Sequence, residues 1–424
     1  MPTFKEALFY WLKLGFVSFG GPAGQIAMMH HELVEKRRWF SDAHFLHALN
    51  FCMLLPGPEA QQLATYLGWR LHGAKGGIAA GALFVLPSAF LLFGLSWIYM
   101  AGGHLPWLAS IFHGLLGAVI AVVADAVLRI GKRSLKTPAL YSIAIASFSA
   151  IYAFNISFVL ILVGSALLGG FGPSSQFPSV GGHGKAKDRA GMPLPTPATA
   201  TISRALWICV TCVSLWWAPI FGVAAWLGWE STHAQQGLFF SKAALVTFGG
   251  AYAVLPYVAQ QAVDTYGWLT HQQMMSGLAL AETTPGPLIM VLQFVGFVGG
   301  WQQPGSLNPF LSATLGAAIT SWVTFLPGFL FVFIGAPHIE RLGEMRGLSA
   351  ALTAVTASVV GVILNLGVRF AKDALWPASG PFDSFVAVVC IAAFTAMRGF
   401  KVSLVRVIGC SALLGLAKHL LFAV

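Results

Sequence analysis

The sequence predicts an all-α polytopic membrane protein of two homologous helical halves, inserted as inverted repeats and carrying broken helices. Three observations lead there. Of 424 residues, 57% are hydrophobic and only 9% charged, against about 45–50% and about 25% in soluble domains. A block of motifs recurs in fixed register: Lys13 and Lys242, Phe19 and Phe248, Trp39 and Trp268, and Pro56 and Pro285 are all separated by one and the same interval. Each copy also carries paired glycines and a Pro-Gly-Pro inside apolar segments, where proline removes a backbone donor and interrupts a helix.

This pattern divides the chain into a first repeat (1–171), a Pro/Gly-rich cytoplasmic linker (172–204), a connecting transmembrane helix (205–228) and a second repeat (229–424). Weaker echoes extend the duplication: Leu86-Pro87 answers Leu326-Pro327, and the segment from Ser165 to Gly169 answers that from Ser411 to Gly415. Residues 7–28 form the first helical segment, interrupted at Gly20-Gly21-Pro22. Residues 45–70 are apolar on both sides of Pro56-Gly57-Pro58. Each arm of about ten residues is too short to span, so the segment is either a broken helix or a re-entrant hairpin. Further apolar runs follow to residue 422, for ten to thirteen spans in all. The gap at Arg341 to Arg346 is basic where the one near Gly102 is not, which suggests inversion of the halves.

The net charge of +10 sits mostly in short gaps between apolar runs, as retention of positive loops in the cytoplasm requires. A nucleic-acid partner would need a continuous basic face, and none is visible. Five cysteines give no disulfide framework, and Cys209 and Cys212 lie in an apolar span as lipid-facing or packing residues rather than metal ligands. The N-terminus shows no basic n-region with a cleavage site, so the first segment reads as a retained span.

Two lysines within apolar helices, Lys13 and Lys242, each precede a Ser/Thr-Phe-Gly-Gly break by five residues. A buried charge normally pairs or lines a water-filled path; snorkelling to the headgroups is the alternative. At each break (Ser18, Gly20 and Gly21; Thr247, Gly249 and Gly250) and after each Pro-Gly-Pro, the resuming helix exposes free N–H groups and the positive end of its dipole, a ready anion site. Those donors belong near Glu59, Ala60 and Gln61 after Pro56 and Gly57, and near Leu288 after Pro285 and Gly286. Glu282 and Glu59 are the acidic candidates, as proton carriers, charge partners of the lysines or helix caps. Gln25, Asn50, Gln62 and Gln293 are further hydrogen-bond donors, and Asp125 and Arg129 read as a local pair four residues apart. No P-loop, GxSxG or HExxH is present, so transport fits better than catalysis, with neither cofactor nor metal.

Ser18-Phe19-Gly20-Gly21-Pro22-Ala23-Gly24, Trp39-Phe40-Ser41 after a basic loop, Leu54-Leu55-Pro56-Gly57-Pro58-Glu59-Ala60-Gln61-Gln62, Thr247-Phe248-Gly249-Gly250 and Ala281-Glu282-Thr283-Thr284-Pro285-Gly286-Pro287 together resemble the long, two-domain type of the chromate ion transporter family. The resemblance implies efflux of chromate, with recognition of the isosteric sulfate, through a bacterial inner membrane. It also implies oxyanions and membrane lipid as partners and leaves a homodimer open. An anion channel and a proton-driven sulfate importer are the alternatives.

Overall fold

A computed structural model of the protein describes residues 2–103, 105–173, 176–177, 202–338, 346–377 and 380–422. Most of the expected linker, and the basic gap at 341–346 except Arg346, lie outside the described residues. Among them all regular structure is helical: α1 (Phe4–Val17), α2 (Gly21–His30), α3 (Asp42–Cys52), α4 (Glu59–Gly102), α5 (Pro106–Ser134), α6 (Pro138–Phe154), α7 (Phe158–Phe171) and α8 (Ile202–Leu227). The second set is α9 (Thr232–Leu245), α10 (Ala251–Ala259), α11 (His271–Thr283), α12 (Val291–Gln302), α13 (Pro309–Gly335), α14 (Arg346–Leu375), α15 (Ser384–Arg398) and α16 (Leu404–Phe422). Six of these, α4, α5, α8, α13, α14 and α16, are long and apolar enough to cross a bilayer.

Local sequence explains where the short helices start. Thr3 and Glu6 form a capping box on α1, and Thr270 and Gln273 form one on α11; each satisfies two orphan N–H groups. Ser41, Ser231 and Asn308 cap α3, α9 and α13. Within α4, His72 and Gly73 leave helical geometry, so a short arm ends at the kink and a long one begins there.

The elements repeat as the sequence does. The order α1, α2, α3, short arm, long arm, α5, α6, α7 returns as α9 to α16, with α8 outside the repeat. Even a π-helical turn recurs in the register of the motifs, at His31–Lys36 and at Gln260–Thr265.

In each half the first four helices form two hairpins rather than crossings. Past the π-turn the chain returns to α1: Trp39 lies edge-on to Tyr10 at 5.7 Å, and the Arg37 guanidinium sits 5.4 Å from the Tyr10 ring. In the second half Trp268 and Tyr266 pack on Phe239 in the same way. The segment 45–70 likewise doubles back at Pro56-Gly57-Pro58, with Phe51 and Tyr66 5.7 Å apart, and its far end at His72 meets Phe4 at the start of α1. Trp268 is fully buried; aromatic residues suited to a membrane interface by composition serve here as hairpin clasps.

Behind the hairpins, the long helices form a scaffold. The equivalent helices α5 and α14 run antiparallel where they touch, Gly131 lying against Val360 and Gly367 against Val123. Gly114 meets Gly415 backbone to backbone, and Gly169 meets Ala350 and Ala354 in the counterpart pair α7 and α14. Small residues at such crossings let membrane helices approach closely.

Candidate functional site

The breaks of the two halves meet in pairs. The Gly57 N–H donates to the Thr247 carbonyl at 2.8 Å, and the Gly286 N–H donates to the Ser18 carbonyl at 2.8 Å. The two bonds exchange equivalent residues of the halves, so each Pro-Gly-Pro tip docks on the Ser/Thr-Phe-Gly-Gly break of the other half. The tips need their glycines: Gly57 and Gly286 have φ of +119° and +104°, a region closed to most side chains. Gly20, Gly21, Gly249 and Gly250 are also at positive φ.

Both resuming helices lack a side-chain cap. Pro58 and Pro287 precede them with extended backbone and no capping bond, leaving first-turn N–H groups near Glu59, Ala60 and Gln61 and near Leu288 and Ile289. An uncapped N-terminus inside a membrane must find its partners in protein, water or ligand. Around this centre Ser18, Gln25, Gln61, Gln62, Thr65, Ser88 and Thr247 are fully buried. The Gln25 amide donates to the Gly286 and Ser18 carbonyls, and Gln62 donates to the Pro56 carbonyl at 2.6 Å. The hydroxyls of Ser18 and Ser88 and the side-chain oxygens of Gln25, Gln61 and Gln62 have no protein partner. The second half contributes a buried carboxyl, Glu282, which accepts from the Tyr252 hydroxyl. Glu59 is half-buried at the other tip.

The structure joins Gly57 to Thr247 and Gly286 to Ser18, with Pro56, Ala60 and Gln61 along the first tip, Pro285 and Leu288 along the second, Glu282 against Tyr252, and Gly20, Gly21, Gly249, Gly250 and Glu59 on the adjoining breaks. It does not bring Lys13 and Lys242 there. Both are exposed, on the outer faces of α1 and α9. Helical periodicity is the reason: Ala7, Tyr10, Trp11 and Leu14 face inward, which turns Lys13 outward beside Leu12 and Phe16. Asn50 is exposed, and Gln293 bonds the Ala89 carbonyl and Ser321 as a helix tie. Asp125 pairs with Arg398 at 3.3 Å instead of with Arg129.

Sequence reading missed Tyr252 and Ser88. The signal for Ser88 was available, since it follows the Leu86-Pro87 echo and therefore answers Gly328. Tyr252 follows Gly250 by two positions, but its partner Glu282 stands on another helix, α11, and nothing local joins them.

Long apolar helices, tips meeting within protein and uncapped helix ends define a multi-pass membrane protein of transporter type. A family profile described as chromate transporter matches residues 5–170 and 234–416, and the chain belongs to the chromate transporter family. It is 35% identical over 365 residues to the chromate transport protein of Pseudomonas aeruginosa, covering 85% of this chain and 79% of that one. It is 28% identical over 420 residues to the chromate transport protein of Cupriavidus metallidurans, covering 98% and 94%. A probable chromate transport protein of Synechococcus elongatus is 29% identical over 377 residues, covering 88% and 86%. No solved structure matches.

Proposed function

We propose that this protein carries chromate, and the isosteric sulfate, out of the cytoplasm through a bacterial inner membrane by alternating access. The ion binds where the two Pro-Gly-Pro tips meet. The observation that carries this reading is the reciprocal pair of tip bonds, which docks the uncapped helix N-terminus of each half on the break of the other, among buried polar side chains. Free N–H groups and the positive end of a helix dipole favour an anion, and the unpartnered Ser18 and Ser88 hydroxyls can each donate to an oxyanion oxygen.

The antiparallel contact of α5 and α14 supports an inverted repeat, because equivalent helices of opposite direction imply a pseudo-twofold axis in the membrane plane. The first-half hairpins then enter from one side and the second-half hairpins from the other. Lys36, Arg37, Arg38, Arg70, Lys75, Lys132 and Arg133 gather on the side of the first-half hairpins, which the positive-inside tendency makes cytoplasmic.

An inside-negative potential suffices for export. Moving one charge through 100 mV is worth about 2.3 kcal/mol, so a dianion gains about 4.6 kcal/mol, more than a thousandfold in concentration at about 1.4 kcal/mol per decade. The buried Glu282–Tyr252 pair favours a second reading, in which a proton moves with or against the ion. Chromate and sulfate flux in sealed vesicles, with potential and pH gradient imposed separately, tests both. Potential-driven efflux that saturates supports the carrier; flux linear in chromate points to a channel, and no chromate flux under either gradient rejects the substrate.

A further inference from the structure

We infer that Arg369 is a docking residue for the transported oxyanion at the mouth on the second-half side, with Arg129 as its counterpart on the first-half side. The inference rests on the oxyanion-transport reading above and extends it from the centre to the two entrances.

Arg369 stands on α14, one of the two antiparallel scaffold helices, and lines a cavity together with Gln260, His271 and Asn365. Asn365 is only 4% exposed, and its side-chain oxygen has no partner. The cavity is therefore polar at depth, with donors of three kinds around it. The other walls are mostly apolar, Ile151, Phe158, Val362 and Leu366 among them, so the polar groups stand out, and a buried polar atom without a protein partner is ordinarily met by water or a ligand.

The repeat supplies an independent observation. The interval from Leu86-Pro87 to Leu326-Pro327 equals that from Gly114, which packs on Gly415 in α16, to Ala354, which packs on Gly169 in α7. The same step places Arg129 on Arg369 and Asp125 on Asn365. Each scaffold helix thus presents an arginine four residues after a short polar side chain, toward opposite ends of an antiparallel pair. Arginine suits a tetrahedral dianion because its planar fork donates in parallel to two oxygens.

Carboxylates guard the rim of the second-half mouth. Asp264 accepts from Arg369 at 3.4 Å, His271 lies 3.3 Å from Asp264 and 3.7 Å from Asp373, and Asn155 accepts from Arg369 at 3.3 Å. These groups leave the cavity wide enough for little more than water. Asp264 belongs to the π-turn of the hairpin unit, whereas Arg369 and Asp373 belong to the scaffold. An arriving oxyanion competes with Asp264 for the guanidinium, and its success releases the hairpin unit from α14. The rim carboxylates also keep the ion from being held too tightly to move on, as a transit site requires. On the first-half side Asp125 is turned to Arg398 and Arg129 is exposed, so the two mouths differ in state: one latched, one free.

The test is chromate exchange by the full chain in right-side-out and everted membrane vesicles, reading half-saturation from each face. Arg369→Gln should raise half-saturation roughly tenfold from the second-half face, the scale of losing one charge-assisted pair, and less than about twofold from the other. Arg369→Lys should recover only part of it, and Arg129→Gln should show the opposite sidedness. Asp264→Asn keeps the side-chain shape while freeing the guanidinium, and should lower both half-saturation and maximal exchange from the second-half face. The inference falls if Arg369→Gln leaves half-saturation unchanged from its own face or raises it equally from both, or if Asp264→Asn weakens rather than tightens binding. Absence of exchange by the unaltered protein would instead remove the transport reading beneath it.

Discussion

The two halves share a backbone and differ in chemistry. At the first-half tip and its neighbours stand Gln25, Glu59, Gln61, Gln62 and Ser88; at the equivalent second-half positions stand Val254, Leu288, Met290, Val291 and Gly328. In exchange the second half has Glu282 and Tyr252 where the first has Met53 and Ala23. Burial differs in the same sense. Gly21 and Pro56 are half-exposed, whereas their equivalents Gly250 and Pro285 are buried, partly because α8 covers α9 and α13 through Trp216 to Ser241 and Trp322 to the Leu215 carbonyl. The first half supplies several neutral hydrogen-bonding side chains and one partly exposed carboxyl, Glu59, and the second supplies one buried carboxyl bonded to a tyrosine. In the transport reading proposed above, the first half grips the ion and the second carries the group that responds to protons.

The comparison breaks most severely at the tips. A Cβ on Gly286 would lie 2.5 Å from the Ser88 Cβ, whereas one on Gly57 would meet only the Gln62 amide nitrogen at 2.8 Å, the movable end of a side chain. A non-glycine residue at positive φ costs roughly 1–2 kcal/mol, and unrelieved overpacking adds about 1–3 kcal/mol. Gly286→Ala should therefore abolish chromate flux and lower the melting temperature of the purified protein clearly more than Gly57→Ala. Equal effects would mean that the tips are interchangeable after all.

Next comes the donor that only one half owns. Gln25→Leu strips a partner from the Gly286 and Ser18 carbonyls, and a buried group left unmade costs about 1–3 kcal/mol. Flux should fall roughly tenfold, while Val254→Leu at the equivalent position should change it less than about twofold. A smaller loss arises at the carboxyl. Tyr252→Phe removes one hydrogen bond to Glu282, about 1.5–3 kcal/mol when the acceptor is charged and about 1 kcal/mol when it is not. Potential-driven efflux should persist within about threefold, and acceleration by an imposed pH gradient should disappear. A Tyr252→Phe protein that keeps its full pH-gradient response would take the sensing role from this pair.

Much of this was legible in the residues. The constant spacing of the repeated motifs revealed the duplicated fold, and the rules for proline and glycine in helices located every break, because those constraints act within a few residues. Lys36, Arg37 and Arg38 fall on the side from which the chain starts, because two hairpins, not two crossings, precede α4's long arm. What could not be read is what depends on which way a helix faces its neighbours. Gln25 reaches across the chain to Gly286 in the other half, and Asp125 chooses Arg398 over Arg129 four positions away. Spacing along one helix carries no information about such partners.

The lysines are the smallest effect and the sharpest lesson. Their recurrence in register with the other motifs argues for a common cause, but a duplication copies every residue of the ancestral helix, including those that merely tolerate their place. Lys13 lies in the third turn of α1, about 13 Å along the axis at 1.5 Å per residue. At that depth the side chain, which leans toward the N-terminus of its helix, carries its charge back along the exposed face of α1. Lys242 sits at the equivalent depth from the opposite side. Lys13→Met and Lys242→Met should each leave chromate flux within about twofold, with no change in half-saturation from either face, since neither side chain turns toward the tips. A tenfold loss in both would mean that the outer faces of α1 and α9 border a water-filled path rather than lipid, and the ion's route would then run along the outside of the hairpins instead of between them.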